Sequence, residues 1–306
     1  MSFLIISSQR DPKGWVQALK EKQPDLDLEV YPDVADPSKV EFALSWKHPH
    51  GIFKDYPNLK VIASMGAGID HIIEDPDIPK NIKITRVIDE QLTRDMSVFV
   101  LALIMDYIRN LSFHYCSKEW KPTKYLRPEE IQVGIMGMGI LGVGVAEKLI
   151  RNKFHVTGWS RTKKEILGVT TFHGDNELNN FLSETNVLVC LLPLTSETEN
   201  ILNKQLFEKL PEGAYVINVA RGPHLVEEDL LEMIQKGHLS GAALDVFRKE
   251  PLPEDHPFWT NDKIRVTPHI ASVTNPKTVV PQILDNYRRM QDGKELEKVV
   301  DREKEY

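Results

Sequence analysis

Three residues of complementary chemistry each follow a short apolar run in the second half of the chain: Arg221, Glu250 and His269. An arginine guanidinium can bind a carboxylate through two hydrogen bonds and polarise a neighbouring carbonyl. A histidine can exchange a proton near neutral pH. A carboxylate beside that histidine would orient the ring and stabilise its charged form. Each residue alone is typical of a turn or a solvated loop, but their common position predicts acid–base chemistry on a carbonyl compound that carries a carboxylate.

A glycine-rich turn within residues 131–149 has the spacing of a phosphate-binding site. A short apolar run precedes Gly137, Gly139 and Gly142, and a helical pattern follows them. In this order the first glycine permits a tight turn, the second lets backbone approach a pyrophosphate, and the third allows close packing of helix and strand. The helix N-terminus offers N–H groups and a positive dipole end to the phosphates. The stretch predicts a dinucleotide site, with close packing alone as the alternative.

The elements that would position these residues alternate between strands and helices. From residue 131 onward, strands are predicted at 131–136, 154–159, 169–172, 186–192, 214–220, 241–247 and 263–267. This alternation predicts a doubly wound parallel sheet, in which the carboxyl ends of the strands supply the functional residues. Arginine, carboxylate and histidine beside a nicotinamide suffice for reversible reduction of a 2-keto acid, in which the histidine protonates the nascent alkoxide.

The first part of the chain predicts a second, smaller α/β unit. Strands are expected near residues 3–7, 26–31, 42–46, 61–64 and 82–87, and a helix at 276–291 could return the chain to this unit. The long apolar helix Asp95–Leu111 is expected to be buried. We therefore predict the α/β class with two doubly wound parallel-sheet domains, formed by residues 1–97 with 275–306 and by residues 98–274.

Composition excludes several classes of protein. The chain has 306 residues, of which 41% are hydrophobic and 27% charged, and a formal net charge of −7, which disfavours general binding of nucleic acid or an anionic membrane. Cys116 and Cys190 are not in a metal-binding spacing, and Cys190 lies in an apolar run expected in the core. The first residues lack a basic leader, and no apolar stretch has the length of a membrane span. We expect no metal, no nucleic-acid or membrane partner, and a cytoplasmic location.

The end of the second strand of the dinucleotide unit predicts the cofactor. An NAD enzyme places an acid there on the ribose hydroxyls. Here the strand runs into Ser160, Arg161 and Thr162, and the first acid is Glu165. Hydroxyls and a guanidinium suit a 2′-phosphate, so we predict NADPH in preference to NADH. The alternative is a solvated basic turn.

Several motifs in sequence order resemble the D-isomer-specific 2-hydroxyacid dehydrogenase family, and within it the glyoxylate/hydroxypyruvate reductase A subgroup. The matching stretches are SWKHPHG, ASMGAGIDHI, VGIMGMGILGVGVA, GWSRTKK, LLPLTSETENILN, INVARGPHLVEEDLL, ALDVFRKEPLPEDHPFW and VTPHIAS. The resemblance implies a Rossmann-type cofactor domain and a flavodoxin-like substrate domain with an interdomain cleft. It also implies a homodimer, with the helix near residues 95–111 at the interface and hinge.

The resemblance assigns roles residue by residue. Arg221 would bind substrate, His269 would be the acid/base and Glu250 would support it. Backbone around Gly66 would bind the substrate carboxylate, and Trp46 would restrict the pocket to small substrates; the implied substrate residues are Trp46, Met65, Gly66, Ala67 and Gly68. The implied cofactor residues are Gly137, Met138, Gly139, Ile140, Leu141, Gly142, Ser160, Arg161, Thr162, Leu192, Pro193, Val219, Ala220 and Asp245.

The implied activity is NADPH-dependent reduction of small 2-keto acids. Glyoxylate would give glycolate and hydroxypyruvate would give D-glycerate, and the sequence leaves the choice between them open. Two alternatives use the same fold. One is a cofactor-sensing scaffold of the corepressor kind, which can retain the arginine, glutamate and histidine. The other is a different oxidoreductase, such as a formate or phosphonate-series dehydrogenase, against which the subgroup motifs argue.

Overall fold

The computed structural model describes residues 1–8 and 11–302, and it contains two compact units. The central unit is Leu92–Ser272, and the N-terminal unit combines Met1–Gln91 with the chain from Val273 onward. The boundaries expected from the sequence, at 97/98 and 274/275, fall in the same two connections, which are the long helix and the segment after His269. Within the described residues, no helix has both the length and the apolar character needed to cross a bilayer.

Strands and helices alternate along most of the chain. In chain order the strands are β1 (Ser2–Ser7), β2 (Leu28–Val30), β3 (Val40–Trp46), β4 (Val61–Ser64), β5 (Lys83–Thr85), β6 (Gln132–Met136), β7 (His155–Ser160), β8 (Thr170–His173), β9 (Val187–Cys190), β10 (Ala214–Asn218), β11 (Leu239–Leu244) and β12 (Ile264–Val266). The helices are α1 (Lys13–Lys22), α2 (Asp70–Ile73), α3 (Glu90–Arg109), α4 (Leu111–Cys116), α5 (Ile140–Arg151), α6 (Gly174–Ser183), α7 (Lys204–Phe207), α8 (Glu227–Gln235) and α9 (Pro276–Gln291).

The N-terminal unit is a five-stranded sheet in the order β2-β1-β3-β4-β5, with every neighbouring pair parallel. This is the flavodoxin-like order. Its core needs both parts of the chain, because the Tyr287 ring of α9 packs edge-on against Phe3 and Phe42, at centroid distances of 5.4 and 5.6 Å. Near the chain end the backbone N–H of Val300 also donates to the carbonyl of Ile84.

The central unit is a seven-stranded sheet in the order β12-β11-β10-β9-β6-β7-β8, again with every neighbouring pair parallel. Its first six strands follow the dinucleotide-binding order 3-2-1-4-5-6, and β12 extends one edge. Since all strands point the same way, the loops that follow them emerge at one edge of the sheet. The predicted fold class, two doubly wound parallel sheets, is confirmed.

The long apolar helix differs from its predicted bounds and burial. It begins at Glu90 rather than Asp95 and ends at Arg109, because Asn110 adopts a left-handed φ of 52° and a new helix, α4, follows. The side chain of Asp106 stabilises this break by accepting hydrogen bonds from the backbone N–H and hydroxyl of Ser112, both at 2.8 Å. The central unit buries one face of α3, lined by Met96, Val100, Ile104 and Ile108, while Val98 on another face is exposed.

Candidate active site

The glycine turn after β6 has the geometry expected of a phosphate-binding turn. Gly137 has a φ of +104°, and a Cβ on Gly142 would lie 2.0 Å from the carbonyl oxygen of Gly137, so both positions require glycine for the fold. A Cβ on Gly139, however, would meet no protein atom within 4 Å. Packing therefore explains two of the three glycines but not Gly139, which is the N-cap residue of α5. The turn fits the pyrophosphate of a dinucleotide at the N-terminus of a twelve-residue helix.

Three other predicted cofactor residues lie around this turn. The side chain of Met138 is buried, and a Cβ on Gly158 of β7 would approach its sulfur to 2.5 Å. Ile140 is exposed at the first position of α5, and Leu141 is half-buried beside it. Met138 can thus face a ligand only with its backbone, whereas Ile140 presents a side chain.

The turn after β7 presents a basic group rather than an acid. Arg161 donates from Nη1 to Oε2 of Glu197 at 3.0 Å, and these side chains are 45% and 67% exposed. The hydroxyl of Ser160 is buried and donates to the carbonyl of Thr162 at 2.8 Å, which closes the turn. The exposed groups here are therefore Arg161 and Thr162. Sequence reasoning did not identify Glu197 as a partner of Arg161, because the two residues belong to different loops.

The loops after β9 and β10 carry further predicted cofactor residues. Leu192, Val219 and Ala220 are buried. The carbonyl of Pro193 accepts a hydrogen bond from the hydroxyl of Thr198 at 2.7 Å. These residues belong to the same carboxyl edge as the glycine turn, as the sequence predicted.

Arg221 is held through its backbone. Asn218, fully buried at the end of β10, accepts from the N–H of Ala220 at 3.1 Å and donates to the carbonyl of Arg221 at 2.9 Å. The guanidinium donates from Nη1 to the carbonyl of Ala220 at 2.7 Å. The following residue, Gly222, lies so close to the next loop that a Cβ would be 1.9 Å from the carbonyl carbon of Phe247. The arginine loop is therefore packed directly on the loop that leads to Glu250.

His269 and Glu250 are in contact. Nδ1 of His269 lies 2.9 Å from Oε2 and 3.1 Å from Oε1 of Glu250, and about a quarter of each side chain is exposed, 26% and 24% respectively. Oε1 of Glu250 also accepts from the backbone N–H of Phe247 at 3.2 Å. The carboxylate thus orients the ring, and Nε2 is the nitrogen that remains for proton exchange with a ligand.

Asp245, a predicted cofactor residue, is fully buried and organises the loop that carries His269. Its Oδ1 accepts from the Thr267 hydroxyl at 2.6 Å and from the Ile270 N–H at 3.0 Å, and its Oδ2 accepts from the Ala271 N–H at 2.8 Å. These bonds hold His269 at a left-handed φ of 54°. Strand and turn patterns cannot show this arrangement, because its partners follow a different strand.

The predicted substrate loop lies in the N-terminal unit, after β4. The hydroxyl of Ser64 accepts from the N–H of Gly66 at 3.1 Å and donates to the carbonyl of Gly68 at 2.8 Å. The N–H of Gly66 is therefore engaged, which leaves Ala67 and Gly68 as the candidate donors. Met65 is buried, and its N–H donates to the carbonyl of Ser45 at 3.1 Å.

Trp46, at the end of β3, packs beside this loop. A Cβ on Gly66 would lie 3.0 Å from the Trp46 ring, so glycine lets the indole approach the loop backbone. On another side the indole contacts the ring of His71, with centroids 4.6 Å apart. The indole is thus fixed next to the predicted carboxylate-binding backbone.

A dinucleotide turn, a basic second-strand end and a histidine–glutamate pair on one parallel sheet define an NAD(P)-dependent dehydrogenase. Residues 101–271 match the sequence profile "D-isomer specific 2-hydroxyacid dehydrogenase, NAD binding domain". The chain belongs to that family, and it is therefore an oxidoreductase of the 2-hydroxyacid dehydrogenase class.

Relatives cover nearly the whole chain. Glyoxylate/hydroxypyruvate reductase A of Photorhabdus laumondii is 37% identical over 299 residues, 95% of each chain. A D-isomer specific 2-hydroxyacid dehydrogenase from Xanthobacter autotrophicus Py2, crystallised with NADPH and MES, superposes with a TM-score of 0.94 at 38% identity over 100% of this chain and 99% of that one. An NADPH-dependent glyoxylate/hydroxypyruvate reductase from Sinorhizobium meliloti, crystallised with NADP and sulfate, gives 0.93 at 35% identity over 100% of both chains.

Proposed function

We propose that this protein catalyses the NADPH-dependent reduction of small 2-keto acids, glyoxylate to glycolate and hydroxypyruvate to D-glycerate. The observation that carries the proposal is the contact of 2.9 Å between His269 Nδ1 and Glu250 Oε2 at the carboxyl edge of a dinucleotide-binding sheet. NADPH, when bound, supplies a hydride to the keto carbon. The chain must then bind the anion, polarise its carbonyl and deliver a proton.

Each step has a candidate residue in the central unit. The Arg221 guanidinium contacts the substrate and stabilises the negative charge that develops on the keto oxygen. His269 donates the proton from Nε2 to the alkoxide, because Glu250 holds Nδ1. Glu250 also offsets the positive charge of the ring before transfer. Two backbone clamps support these groups, Asn218 for the arginine loop and Asp245 for the histidine loop.

The preference for NADPH rests on the turn after β7. Arg161 and Thr162 are exposed there, and the nearest acid in sequence is Glu165. A guanidinium forms charge-assisted hydrogen bonds with a phosphate, whereas a carboxylate at this position would repel it. The solved relatives that contain NADPH or NADP support this assignment. Gly137, Gly139 and Gly142 would hold the pyrophosphate.

The preference for small substrates rests on the loop of the N-terminal unit. We assign the substrate carboxylate to the backbone N–H groups of Ala67 and Gly68, since that of Gly66 donates to Ser64. Trp46, packed on Gly66 and His71, limits the space beside these groups. This assignment predicts that long or branched 2-keto acids are poor substrates.

The test is NADPH oxidation by the purified protein against a panel of 2-keto acids. Glyoxylate and hydroxypyruvate should be reduced fastest, and pyruvate and branched 2-keto acids more slowly. The glycerate formed should be the D-isomer. Formate and phosphite, supplied with NADP⁺, test the rival oxidoreductases. No turnover of any 2-keto acid, with NADPH binding intact, would favour a cofactor-sensing scaffold instead.

We propose a homodimer as the assembly and the cytoplasm as the location. Exposed apolar side chains are concentrated in α4 and the segment after it: Leu111, Phe113, Tyr115, Trp120 and Tyr125. A surface of this composition is typical of an interface between subunits. Light scattering during gel filtration should give twice the mass of one chain, and Phe113→Glu combined with Tyr115→Glu should halve it.

A further inference from the structure

His224 is a buried histidine to which the proposed chemistry assigns no part. It ends the short turn Gly222–His224, directly after Arg221, and its side chain is inaccessible to solvent. The surroundings of its ring contain backbone groups from two loops at the carboxyl edge of the sheet. One is the loop of Arg221, and the other is the loop of Pro193.

One ring nitrogen contacts the backbone of Arg221. The N–H of Arg221 lies 3.2 Å from Nδ1, and the carbonyl oxygen of the same residue lies 3.0 Å from it. A neutral ring with its proton on Nε2 would accept from this N–H, whereas a ring protonated at Nδ1 would donate to this carbonyl. In either form the His224 ring contacts the backbone of Arg221, the residue whose guanidinium is proposed to bind the substrate.

The other ring nitrogen contacts the cofactor side of the edge. Nε2 lies 3.2 Å from the carbonyl oxygen of Pro193. A carbonyl only accepts, so Nε2 carries the hydrogen and donates it. The ring thus connects the loop after β10 to the loop after β9.

The backbone of the His224 turn is also bonded to the later part of the loop after β9. The carbonyl of His224 accepts from the N–H of Leu202 at 2.9 Å, and the carbonyl of Pro223 accepts from the N–H of Asn200 at 2.9 Å. The turn that carries the ring is therefore tied to the loop after β9 as well as to Arg221, whose carbonyl accepts from the His224 N–H at 3.3 Å. Because core polar groups of this kind fix a single geometry, small shifts in them are transmitted to the groups that they bind.

We propose that His224 is a positioning residue for the reaction, holding Arg221 for the substrate through Nδ1 and Pro193 for the cofactor through Nε2. The proposal rests on the function proposed above for Arg221 and Pro193. A histidine that only filled the core would contribute to stability but would not separate substrate effects from cofactor effects. That separation is what the variants must show.

Two isosteric variants separate the contacts. An asparagine amide lies where Nδ1 lies, so His224→Asn keeps the Arg221 contact and loses the Pro193 contact. A glutamine amide lies where Nε2 lies, so His224→Gln does the reverse. We expect His224→Gln to raise the KM for glyoxylate roughly three- to tenfold, the effect of one neutral hydrogen bond, with the Kd for NADPH within about twofold of wild type. We expect His224→Asn to raise the Kd for NADPH by a similar factor and to leave the KM for glyoxylate within about twofold.

A double-mutant cycle that combines His224→Gln with Arg221→Lys tests whether the effects of the two residues on KM are coupled. If His224 acts through Arg221, His224→Gln should add little to the KM increase already caused by Arg221→Lys. If the KM effects of His224→Gln and Arg221→Lys are fully additive, His224 does not act through Arg221. If His224→Gln and His224→Asn have the kinetic constants of wild type and only a lower melting temperature, the histidine is purely structural.

A measurement on the wild-type protein tests the proposal even if the variants fail to fold. ¹⁵N spectra of the histidine rings should show a proton on Nε2 of His224, and the Nδ1 resonance should shift when glyoxylate and NADP⁺ form a dead-end complex. An unprotonated Nε2 or an unmoved Nδ1 would contradict the proposal. A wild-type protein inactive toward every 2-keto acid would overturn the proposed function and this role with it, whereas an active wild type with unchanged variants overturns this role alone.

Discussion

His269 and Glu250 form a directed pair, with Nδ1 2.9 Å from Oε2, and the histidine backbone has a left-handed φ of 54°. Non-glycine residues rarely adopt this conformation, and it persists only where surrounding contacts enforce it. Here the buried Asp245 supplies them through the residues on both sides of His269. The ring is therefore oriented by its backbone and by its carboxylate partner together.

We predict that His269→Ala loses most of kcat, on the order of 10²–10⁴-fold, because the proton donor is removed. Glu250→Gln should lose less, since an amide oxygen still accepts from Nδ1 but carries no charge. NADPH binding, followed by fluorescence titration, should survive in both variants and serves as the control for folding. Near-wild-type turnover by His269→Ala in the glyoxylate assay would eliminate the acid/base assignment.

The Arg161–Glu197 ion pair gives a prediction about the cofactor. Both side chains are largely exposed, and such pairs contribute only about 0–1 kcal/mol. A charge-assisted bond to a phosphate contributes roughly 1.5–3 kcal/mol, so a 2′-phosphate should displace Glu197. We predict at least a tenfold preference for NADPH in kcat/KM, consistent with ~1.4 kcal/mol per factor of ten.

Arg161→Ala should erase much of this preference by weakening NADPH and should leave NADH nearly unchanged. Glu197→Gln should keep the preference or increase it, because the competing carboxylate is gone. Lys163→Ala is the control for general loss of positive charge in the same turn. Parallel initial rates with both cofactors decide the matter, and equal use of the two by wild type would identify this turn as a solvated surface loop.

Two glycines of the turn after β6 separate folding from binding. Gly142→Ala puts a Cβ 2.0 Å from a backbone oxygen, so we predict destabilisation of about 1–3 kcal/mol or more. Gly139 has φ −82° and ψ −164°, which alanine also adopts, and a Cβ there meets no protein atom within 4 Å. We predict that the free energy of unfolding of Gly139→Ala lies within about 0.5 kcal/mol of the wild-type value. Its affinity for NADPH should be weaker, on the order of tenfold. Urea unfolding and NADPH titration measure the two effects; unchanged affinity in Gly139→Ala would remove this residue from the pyrophosphate site.

His48 predicts a pH dependence of stability. It is buried between Ser45, whose hydroxyl lies 2.9 Å from Nδ1, and Asp75, whose carboxylate lies 3.2 Å from Nε2. Burial lowers the pKa of His48 below its ordinary value of 6.5, although Asp75 acts in the opposite direction. The unfolded chain therefore takes up the proton more readily, so the contribution of neutral His48 is fully present above that value and is lost as the pH falls toward the lower, folded pKa.

His48→Gln keeps a donor for Asp75 but does not titrate. The difference in free energy of unfolding between wild type and His48→Gln should therefore shrink as the pH falls from about 8 to about 5.5, across the ordinary range of histidine. Urea unfolding followed by circular dichroism at several pH values measures it. His155→Gln, at an exposed position, is the control for the histidine-to-glutamine change itself. A difference that stays constant with pH would show that His48 takes up its proton equally in the folded and unfolded states, which would contradict the prediction.

The sequence predicted the elements with strong local signals. Helix α9 has the bounds predicted from the sequence, and in the structure Asn275 caps it and Pro276 occupies its first turn. The glycine turn was predicted because each glycine has a separate geometric reason. The break at Asn110 was missed because asparagine has no obligatory conformation, and the apolar pattern continues beyond it.

The contacts that hold the candidate site could not be predicted in the same way. Asn218, His224 and Asp245 act on residues in other loops or through a single side-chain orientation. Hydrophobic periodicity determines which strands form, and parallel topology determines that their ends share an edge. Neither determines which buried polar group satisfies which backbone donor, because that depends on packing between segments distant in sequence.

The packing of Tyr287 on Phe3 and Phe42 has a consequence for how the chain folds as it is synthesised. The ribosome delivers Phe42 early and Tyr287 near the end, an interval on the order of 10–50 s at ordinary rates of translation. During that time the first sheet lacks α9, while the central unit, Leu92–Ser272, has all of its residues. The central unit therefore has all of its residues before the N-terminal unit does. The apolar surface around Phe3 and Phe42 stays uncovered until α9 has left the ribosome.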